Sequence, residues 1–232
     1  MPQSVKVSVV IPIYNEEDLL ERVLERVRAL PFDKQLILVD DHSTDGTAEI
    51  LRREAERYPG TVVLRHDVNR GKGAAIRTGI GHAVGDIVIV QDADLEYRPE
   101  EIPLVLAPIL EGRCNVAYGS RFMGRVVGMR LPNRVANALL AWTVTLLYGH
   151  RVTDEATAYK AFRREVIQSI PLTCERFEFC PEVTAKVLRR GERIVEVPVT
   201  YVARTFEEGK KIGWRDFFVA VWTLVRCRFG KC

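Results

Sequence analysis

The sequence predicts an α/β protein with a mostly parallel central sheet and helices on both of its faces. Short β-branched runs alternate with amphipathic helical patterns through the first half of the chain, as in parallel sheets covered by helices. Polar residues follow directly after each run, where such sheets bind ligands. The chain has 232 residues and 47% hydrophobic content, which suffices for one domain with a large core. With only 16 Gly and 11 Pro, its composition excludes the disordered and collagen-like classes.

The predicted elements follow one another in a regular order. Val7 to Ile13 is a strand-like run, and apolar residues then recur at helical spacing from Leu19 to Leu30. This unit repeats, with further predicted strands at 36–39, 62–64, 87–90 and 116–118 and helices at 47–58, 74–84 and 100–110. After an apolar stretch at 135–148, the pattern predicts a helix at 181–188, a strand at 194–201, a charged loop at 204–211 and a final apolar helix from 213. Because no linker composition separates the two halves, we expect one domain over residues 1–232.

The charges of the chain are unevenly distributed along its length. Up to Leu110 there are 13 Lys and Arg against 19 Asp and Glu, a net charge of −6. The remainder has 21 Lys and Arg against 12 Asp and Glu, a net charge of +9. Between Gly112 and Thr153 there are six Arg and no carboxylate. A basic second half suits an anionic partner such as a phosphorylated lipid or an anionic leaflet.

The turn after the fourth predicted strand contains two carboxylates two residues apart, Asp92 and Asp94. Mg²⁺ and Mn²⁺ prefer oxygen ligands and commonly combine one or two carboxylates with substrate phosphates. The alternative is that Asp94 or Glu96 only caps the helix that starts near Pro99. The pattern alone leaves both interpretations open.

Two other strand ends contain candidate nucleotide-binding residues. Asp41 is placed to accept hydrogen bonds from ribose hydroxyls, although turn and capping chemistry around Ser43 and Asp45 explains the same residues. The segment 69–73 is rich in glycine and basic residues, but it lacks the spacing of a P-loop around Lys72. No glycine fingerprint follows the first strand, so a nicotinamide dinucleotide site is also disfavoured.

Four strand-end motifs together resemble the signature of inverting family 2 glycosyltransferases with a GT-A fold. They are Val9 to Glu16, Val39 to Thr47, Asn69 to Gly73 and Asp92 to Glu96. Three further features are similar to the polyprenyl-phosphate branch of this family, namely Gly119 to Arg121, Tyr201 with Arg204, and Glu208 to Ile212. The resemblance extends over nearly the whole chain. It implies a Rossmann-like GT-A sheet with amphipathic interfacial helices near the C-terminus and no transmembrane span.

The resemblance also implies roles for individual residues. The base and ribose of the donor would contact Pro12, Tyr14, Glu16, Val39 and Asp41. The donor diphosphate would contact Asp92 and Ala93, and a Mn²⁺ or Mg²⁺ ion would bind to Asp92, Asp94 and Glu96, with Asp94 also catalytic. The acceptor phosphate would face Arg121 and Arg134, and the donor diphosphate would be held by Arg204 and Lys210. Residues 1–110 would then bind the nucleotide sugar, and residues 111–232 would bind the acceptor and end in an amphipathic helix at 213–229.

The reaction implied by the resemblance is metal-dependent transfer of a sugar, with inversion, to a polyprenyl or dolichyl phosphate at a membrane surface. GDP-mannose is the first choice of donor and UDP-glucose the second. A sugar-nucleotide nucleotidyltransferase is the alternative enzyme class, but residues 12–16 lack the glycine-rich basic signature expected there. A non-catalytic membrane-binding module is the third interpretation, and it leaves the acidic strand ends unexplained. We expect no nucleic-acid partner.

Two apolar helical stretches bear on membrane binding. The last one places Trp214, Phe217, Phe218, Val221, Trp222 and Val225 on one helical face. Its uncharged centre at 217–225 has nine residues and the stretch at 135–148 has fourteen, whereas a bilayer span needs about 20. Both stretches suit either core helices or helices that lie in the membrane interface. We expect peripheral attachment to the cytoplasmic face of the membrane.

The cysteines and the N-terminus indicate the compartment. The five Cys are scattered, without the spacing of a zinc site, as is typical of a reducing compartment. A bridge between Cys174 and Cys180 is the alternative. Residues 1–6 lead directly into the first predicted strand and show no secretion-signal pattern.

Overall fold

A computed structural model describes residues 5–203 and 214–230 of the chain. Within these residues, seven strands form one sheet: β1 (Val7–Ile13), β2 (Lys34–Asp40), β3 (Val62–Arg65), β4 (Ile87–Val90), β5 (Val116–Val127), β6 (Lys160–Arg163) and β7 (Ile194–Val202). The helices are α1 (Leu20–Arg28), α2 (Thr47–Arg57), α3 (Lys72–Gly81), α4 (Ile102–Leu110), α5 (Leu131–Tyr148), α6 (Arg164–Gln168), α7 (Phe179–Arg189) and α8 (Trp214–Phe229). A 3₁₀ turn at Pro99–Glu101 precedes α4.

The strand order across the sheet is β3-β2-β1-β4-β6-β5-β7. All neighbouring strands are parallel except β6, which is antiparallel to both β4 and β5. The chain builds outward from β1 to β2 and β3, and then returns to place β4 on the other side of β1. In α/β sheets, ligands bind at such a reversal, outside the carboxyl ends of the strands. The topology therefore predicts a ligand-binding site at the carboxyl ends of β1 and β4.

The core consists of two apolar layers, one on each face of the sheet. Every residue of β1 is buried, with Val9 and Ile11 in the layer under α1 and α4 and Val10 in the opposite layer under α3. Helix α3 approaches the sheet closely, since a Cβ added at Gly79 would lie 2.4 Å from Val10 Cγ1. Because the strands are buried on both faces, their sequences are continuous apolar runs and not alternations of apolar and polar residues.

The structure confirms the alternating strands and helices of the first half, and it differs from the sequence prediction in three places. Strand β6 and helix α6 were not predicted, because the Lys160–Arg163 strand has only four residues and contains two charged ones. Strand β5 continues to Val127, well past the predicted end at 118, since its exposed second half pairs with β7 after an irregularity between Ser120 and Arg125. Cys114, Cys174 and Cys180 are free thiols, so the alternative Cys174–Cys180 bridge is wrong.

Helices α5 and α8 pack against each other and leave apolar side chains exposed. The Tyr148 hydroxyl donates a hydrogen bond to the Leu224 carbonyl (2.7 Å). The single apolar face predicted for α8 divides, because Phe217 and Val221 pack against the core while Phe218 and Trp222 are exposed. The exposed apolar residues of α5 are Leu131, Val135, Leu139, Trp142 and Leu146. Among the described residues, no helix combines the length and the apolar character needed to cross a membrane.

Candidate functional site

A pocket of about 370 Å³ opens at the carboxyl ends of β1, β2 and β4, where the strand order reverses. Eight of the residues singled out in the sequence line it: Pro12, Tyr14, Glu16, Asp41, Asp92, Ala93, Asp94 and Glu96. The structure thus brings together most of the residues assigned to the nucleotide and the cation. Val39 is the exception in this group, because it is fully buried in the core beneath α3 and does not line the pocket.

The turns after β1 and β2 hold each other in place. Asn15 adopts a left-handed backbone conformation (φ 53°), and its backbone N–H donates to Ser43 Oγ (3.0 Å). In return, Asn15 Oδ1 accepts the backbone N–H of Thr44 (2.9 Å). The backbone N–H of Glu16 donates to Thr47 Oγ1 (3.1 Å). These reciprocal bonds fix one wall of the pocket next to Tyr14 and Glu16.

Asp41 anchors the glycine-rich segment that follows β3. Its Oδ1 accepts the backbone N–H of Arg70 (2.9 Å) and contacts His66 Nδ1 (2.7 Å), and its Oδ2 accepts the backbone N–H of Gly71 (2.6 Å). Gly71 needs to be glycine, since its φ of 97° is left-handed and a Cβ there would lie 2.6 Å from the Glu175 carbonyl oxygen. The amides of this segment are therefore used by Asp41, while the carboxylate still borders the pocket.

Asp92 is paired with Lys72, the first residue of α3. Lys72 Nζ lies 2.6 Å from Oδ1 and 2.7 Å from Oδ2 of Asp92. Both side chains line the pocket, and the exposed fractions are 30% for Lys72 and 10% for Asp92. The ion pair therefore faces the ligand space and is not sealed in the core.

The turn after Asp92 is bound to the end of β7. Asp94 Oδ1 accepts the backbone N–H of Glu96 (3.0 Å), and Leu95 between them has a left-handed φ of 57°. Glu96 Oε2 accepts the Tyr201 hydroxyl (2.9 Å), and the Glu96 carbonyl accepts the backbone N–H of Val202 (2.9 Å). Burial, together with the neighbouring Glu96 carboxylate, raises the pKa of Tyr201 well above its usual range, so the phenol stays a donor.

The carboxylates fit a divalent ion only in part. Among residues 5–203 and 214–230, no group of three or more His, Cys, Asp or Glu side chains is arranged to hold a metal ion. The proposed triple ligand set of Asp92, Asp94 and Glu96 is thus not preassembled, and Glu96 is engaged with Tyr201. Asp92 and Asp94 nevertheless line the same pocket, and their oxygen chemistry suits Mg²⁺ or Mn²⁺ when substrate phosphates supply further ligands.

Arg121 lies outside the pocket and is held by a buried carboxylate. Its Nε and Nη2 donate to the two oxygens of Asp154 (2.7 and 2.6 Å), and its backbone N–H donates to Asp154 Oδ2 (2.9 Å). Nη2 also donates to Asn137 Oδ1 (3.0 Å), which ties β5 to α5. Burial lowers the pKa of Arg121, but the Asp154 charge outweighs this effect and raises it well above its usual value. The arrangement favours a structural role for Arg121 over contact with an acceptor phosphate.

The remaining predicted cations are not gathered at the pocket. Arg134 is exposed on the first turn of α5 and does not line the pocket. Arg204 and Lys210 lie outside the described residues.

Four pocket-lining residues were missed in the sequence, namely Ala75, Arg176, Phe177 and Asp216. Arg176 and Phe177 lie in the segment before α7, whose backbone packs on α3, where the Ala74 N–H donates to the Glu175 carbonyl (2.9 Å). No local pattern marks these residues, because their position depends on contacts between elements about 100 residues apart. Asp216 lies on the first turn of α8, where a single acidic residue within an apolar helical pattern gives no signal of a binding site.

A second buried charge cluster lies between β6 and α7. Both oxygens of Glu155 are buried without a hydrogen bond of normal geometry to a described residue, and burial raises the pKa of this carboxyl. Lys160 is fully buried, donates to the Glu155 carbonyl (2.6 Å) and lies 3.7 Å from the Tyr118 ring centre. This cluster is separate from the pocket, and none of its three residues lines it.

Comparison with known proteins identifies the family of the chain. The sequence matches the family described as Glycosyl transferase family 2 over residues 8–170. It is 35% identical over 227 residues to an undecaprenyl-phosphate 4-deoxy-4-formamido-L-arabinose transferase of Edwardsiella ictaluri, covering 95% of this chain and 67% of that protein. It is 32% identical over 214 residues to a dolichol-phosphate mannosyltransferase of Pyrococcus furiosus, covering 90% of this chain but only 60% of that longer protein.

The fold has relatives among solved structures. A glucosyl-3-phosphoglycerate synthase from Mycobacterium tuberculosis, crystallised with Mn²⁺, UDP and phosphoglyceric acid, superposes with a TM-score of 0.75 over 98% of this chain and 80% of that one. At 24% identity, this likeness concerns the fold alone. The pocket at the reversal of the strand order, the family match over 163 residues and the identity to two named sugar transferases lead to one conclusion. The chain belongs to glycosyl transferase family 2.

Proposed function

We propose that the protein transfers a sugar from a nucleotide sugar to a polyprenyl phosphate at a membrane surface, with inversion at the anomeric carbon and with GDP-mannose as donor. The observation that carries this proposal is the pocket in which Tyr14, Glu16 and Asp41 line the same space as Asp92 and Asp94. The named relatives act on undecaprenyl phosphate and dolichol phosphate, which supports a polyprenyl phosphate as acceptor.

In this proposal the donor lies along the ends of β1, β2 and β4. Its base and ribose contact the wall formed by Pro12, Tyr14 and Asp41, and its diphosphate reaches Asp92 and Asp94. The pocket draws on both portions of the chain, since Tyr201 and Asp216 also line it. Residues 1–110 thus supply most donor contacts, and residues 111–232 supply the rest together with the acceptor side.

We assign the divalent ion, Mn²⁺ or Mg²⁺, to Asp92 and Asp94 together with the donor diphosphate. A bound ion of this kind neutralises charge on the departing diphosphate. The two carboxylates fix its position, and the hydrogen bond from the Glu96 N–H holds Asp94 in the turn (3.0 Å). Glu96 accepts a hydrogen bond from the Tyr201 hydroxyl, and this bond joins the donor site to the end of β7.

The protein has to position the acceptor phosphate, but it does not have to supply a general base. A lipid phosphate oxygen is already anionic near neutral pH, so the reaction does not require a strong general base. Guanidinium groups hold phosphate oxygens through paired hydrogen bonds. With Arg121 occupied by Asp154, we assign the acceptor phosphate to the exposed arginines of the β5–α5 region, of which Arg134 is on the first turn of α5. Arg204 and Lys210 remain assigned to the donor diphosphate.

The membrane contact is assigned to the exposed apolar residues of α5 and α8. On α8 they are Phe218, Val219, Trp222 and Phe229. On α5 they recur at helical spacing from Leu131 to Leu146 and include Trp142. Exposed Trp and Phe beside basic residues suit the headgroup boundary of an anionic leaflet, which supports peripheral attachment at the cytoplasmic face.

A second candidate keeps the acceptor and changes the donor. The Edwardsiella ictaluri relative, at 35% identity, is named for transfer of 4-deoxy-4-formamido-L-arabinose. Transfer of a sugar of this kind, or of glucose from UDP-glucose, is therefore the alternative to transfer of mannose from GDP-mannose. A nucleotidyltransferase activity finds no support in the family match.

The test is a transfer assay with the full chain. The protein is incubated with polyprenyl phosphate in detergent or vesicles, with labelled GDP-mannose, UDP-glucose or a UDP-pentose, and with Mn²⁺, Mg²⁺ or EDTA. We expect labelled lipid from one donor, and its loss in EDTA and in Asp94→Asn. Asp33→Asn is the matched control, because Asp33 is an exposed carboxylate that does not line the pocket. Failure of every donor to label the lipid, together with failure to bind any of the nucleotides, refutes the proposal.

A further inference from the structure

Among the described residues, the lining of the pocket is rich in carboxylates, whereas a diphosphate is itself an anion. Its lining contains six carboxylates, those of Glu16, Asp41, Asp92, Asp94, Glu96 and Asp216. Only two cationic side chains, Lys72 and Arg176, line it among the described residues. A nucleotide diphosphate adds further negative charge, and like charges in a shared site repel each other. Binding therefore depends on where the positive charges are placed.

Among the described residues, Lys72 is a pocket-lining cation in direct contact with Asp92. Its ammonium lies 2.6 and 2.7 Å from the two oxygens of Asp92, so a divalent ion could bind to this carboxylate only after Lys72 has moved away. The left-handed Gly71 and the anchoring of its N–H by Asp41 fix where α3 begins, and hence the root of the Lys72 side chain. A lysine side chain ends in a compact charge on a flexible four-carbon stem, so the charge can move while the root stays fixed.

We propose, on the basis of the proposed function, that Lys72 is a diphosphate-binding cation that occupies the Asp92 carboxylate until the donor arrives. On donor binding its ammonium moves from Asp92 to the diphosphate, and the divalent ion takes its place on the carboxylate. Lys72 thereby neutralises Asp92 in the free protein and the donor diphosphate in the complex. No proton transfer or covalent step is involved in this exchange.

The exchange couples the binding of the ion to the binding of the nucleotide. An ion that binds alone must displace Lys72 from Asp92, and the ammonium then has no diphosphate to receive it. A nucleotide that binds without the ion must draw Lys72 away from a carboxylate that is left uncompensated. When the ion and the nucleotide both bind, Lys72 contacts the diphosphate and the ion compensates Asp92. The ion therefore raises the affinity for the nucleotide, and the nucleotide raises the affinity for the ion by the same factor.

The test measures binding of GDP and Mn²⁺ separately, without turnover. Calorimetry gives the affinity for GDP in EDTA, and the electron paramagnetic resonance signal of free Mn²⁺ gives the affinity for the ion alone. In Lys72→Met we expect GDP to bind about tenfold more weakly in EDTA and Mn²⁺ alone to bind about tenfold more tightly, within the usual range of coupling between sites. Unchanged affinities, or a loss of both together, would overturn the inference.

Two further variants control for charge and for folding. Arg70→Met removes one positive charge from the same loop, but its side chain meets Glu175 at 3.5 Å and not Asp92, so we expect both affinities to stay within about twofold of the wild type. Asp92→Asn releases Lys72, so GDP in EDTA should bind more tightly although an ion ligand is lost. Weaker or equal metal-free binding in Asp92→Asn contradicts the exchange, even if Lys72→Met fails to fold.

The outcomes also separate this inference from the proposed function. A wild-type protein that binds GDP and transfers sugar, with Lys72→Met indistinguishable from it in both affinities, refutes the exchange alone. A wild-type protein that binds none of GDP, UDP and Mn²⁺ refutes the proposed function and the exchange with it.

Discussion

Replacing Asp154 by Asn should destabilise the protein strongly, because Asp154 compensates a buried arginine. Asp154 is fully buried and accepts three hydrogen bonds from Arg121, at 2.6, 2.7 and 2.9 Å. Its own backbone N–H donates to Glu196 Oε1 (2.9 Å), so the carboxylate cannot easily turn away. Removing one partner of such a buried pair costs about 3–5 kcal/mol, since the other charge is left uncompensated. The Asn side chain retains the shape but supplies neither the charge nor a second acceptor oxygen.

Urea unfolding followed by circular dichroism measures this loss. We expect the midpoint to fall with an unchanged m-value, and the melting temperature to fall by at least about 6 °C for a chain of this size. Arg134→Ala is the matched control, because Arg134 is exposed, and its stability should change by less than about 0.5 kcal/mol. A loss below about 1 kcal/mol in Asp154→Asn would refute the structural assignment of Arg121 and return that residue to the acceptor site.

Three further predictions concern the buried cluster, the thiols and the exposed helices. Burial raises the pKa of Glu155, so the folded state prefers the neutral carboxyl and loses stability as the pH rises above the ordinary carboxyl range. In urea unfolding, Glu155→Gln should therefore stabilise the protein more at pH 8 than at pH 4. An equal effect at both pH values would contradict this prediction. Burial raises the pKa of Cys174 to about 12, so iodoacetamide at pH 8 should leave Cys174 unlabelled in the native protein and label it after unfolding, as read by mass spectrometry of the digest. Trp222→Glu should reduce flotation with anionic vesicles severalfold, whereas Val84→Glu, at an equally exposed apolar position (63% exposed in each), should not; equal flotation of the two variants counts against the membrane assignment.

Much of the candidate site could be predicted because it depends on local sequence. The carboxyl ends of parallel strands lie at the same edge of a sheet. Once the strands were identified, Tyr14, Asp41 and Asp92 were therefore expected to lie close together. The same holds for the first helices, whose apolar spacing was regular. The left-handed conformation of Gly71 adds a local reason why that turn tolerates only glycine.

The rest of the site depends on contacts that local sequence does not encode. Arg121 has the residue type of a phosphate ligand, but its guanidinium is paired with Asp154, 33 residues away along the chain. Strand β6 could not be recognised because its burial, including that of Lys160, follows from insertion between β4 and β5. Val39 lies on β2, two residues before Asp41, yet on the face that packs under α3, and only the position of that helix decides this.

Helix α8 carries both a residue of the candidate pocket and residues of the exposed apolar face. Asp216 lines the pocket, and Trp222 follows six residues later, about 9 Å further along the helix axis. In the proposed reaction, a lipid phosphate at the depth of Trp222 is thus less than two helical turns from the donor, while the tail of the polyprenyl acceptor stays among the acyl chains. Under the proposed function, the spacing of Asp216 and Trp222 along α8 then sets the distance between the donor and the membrane surface.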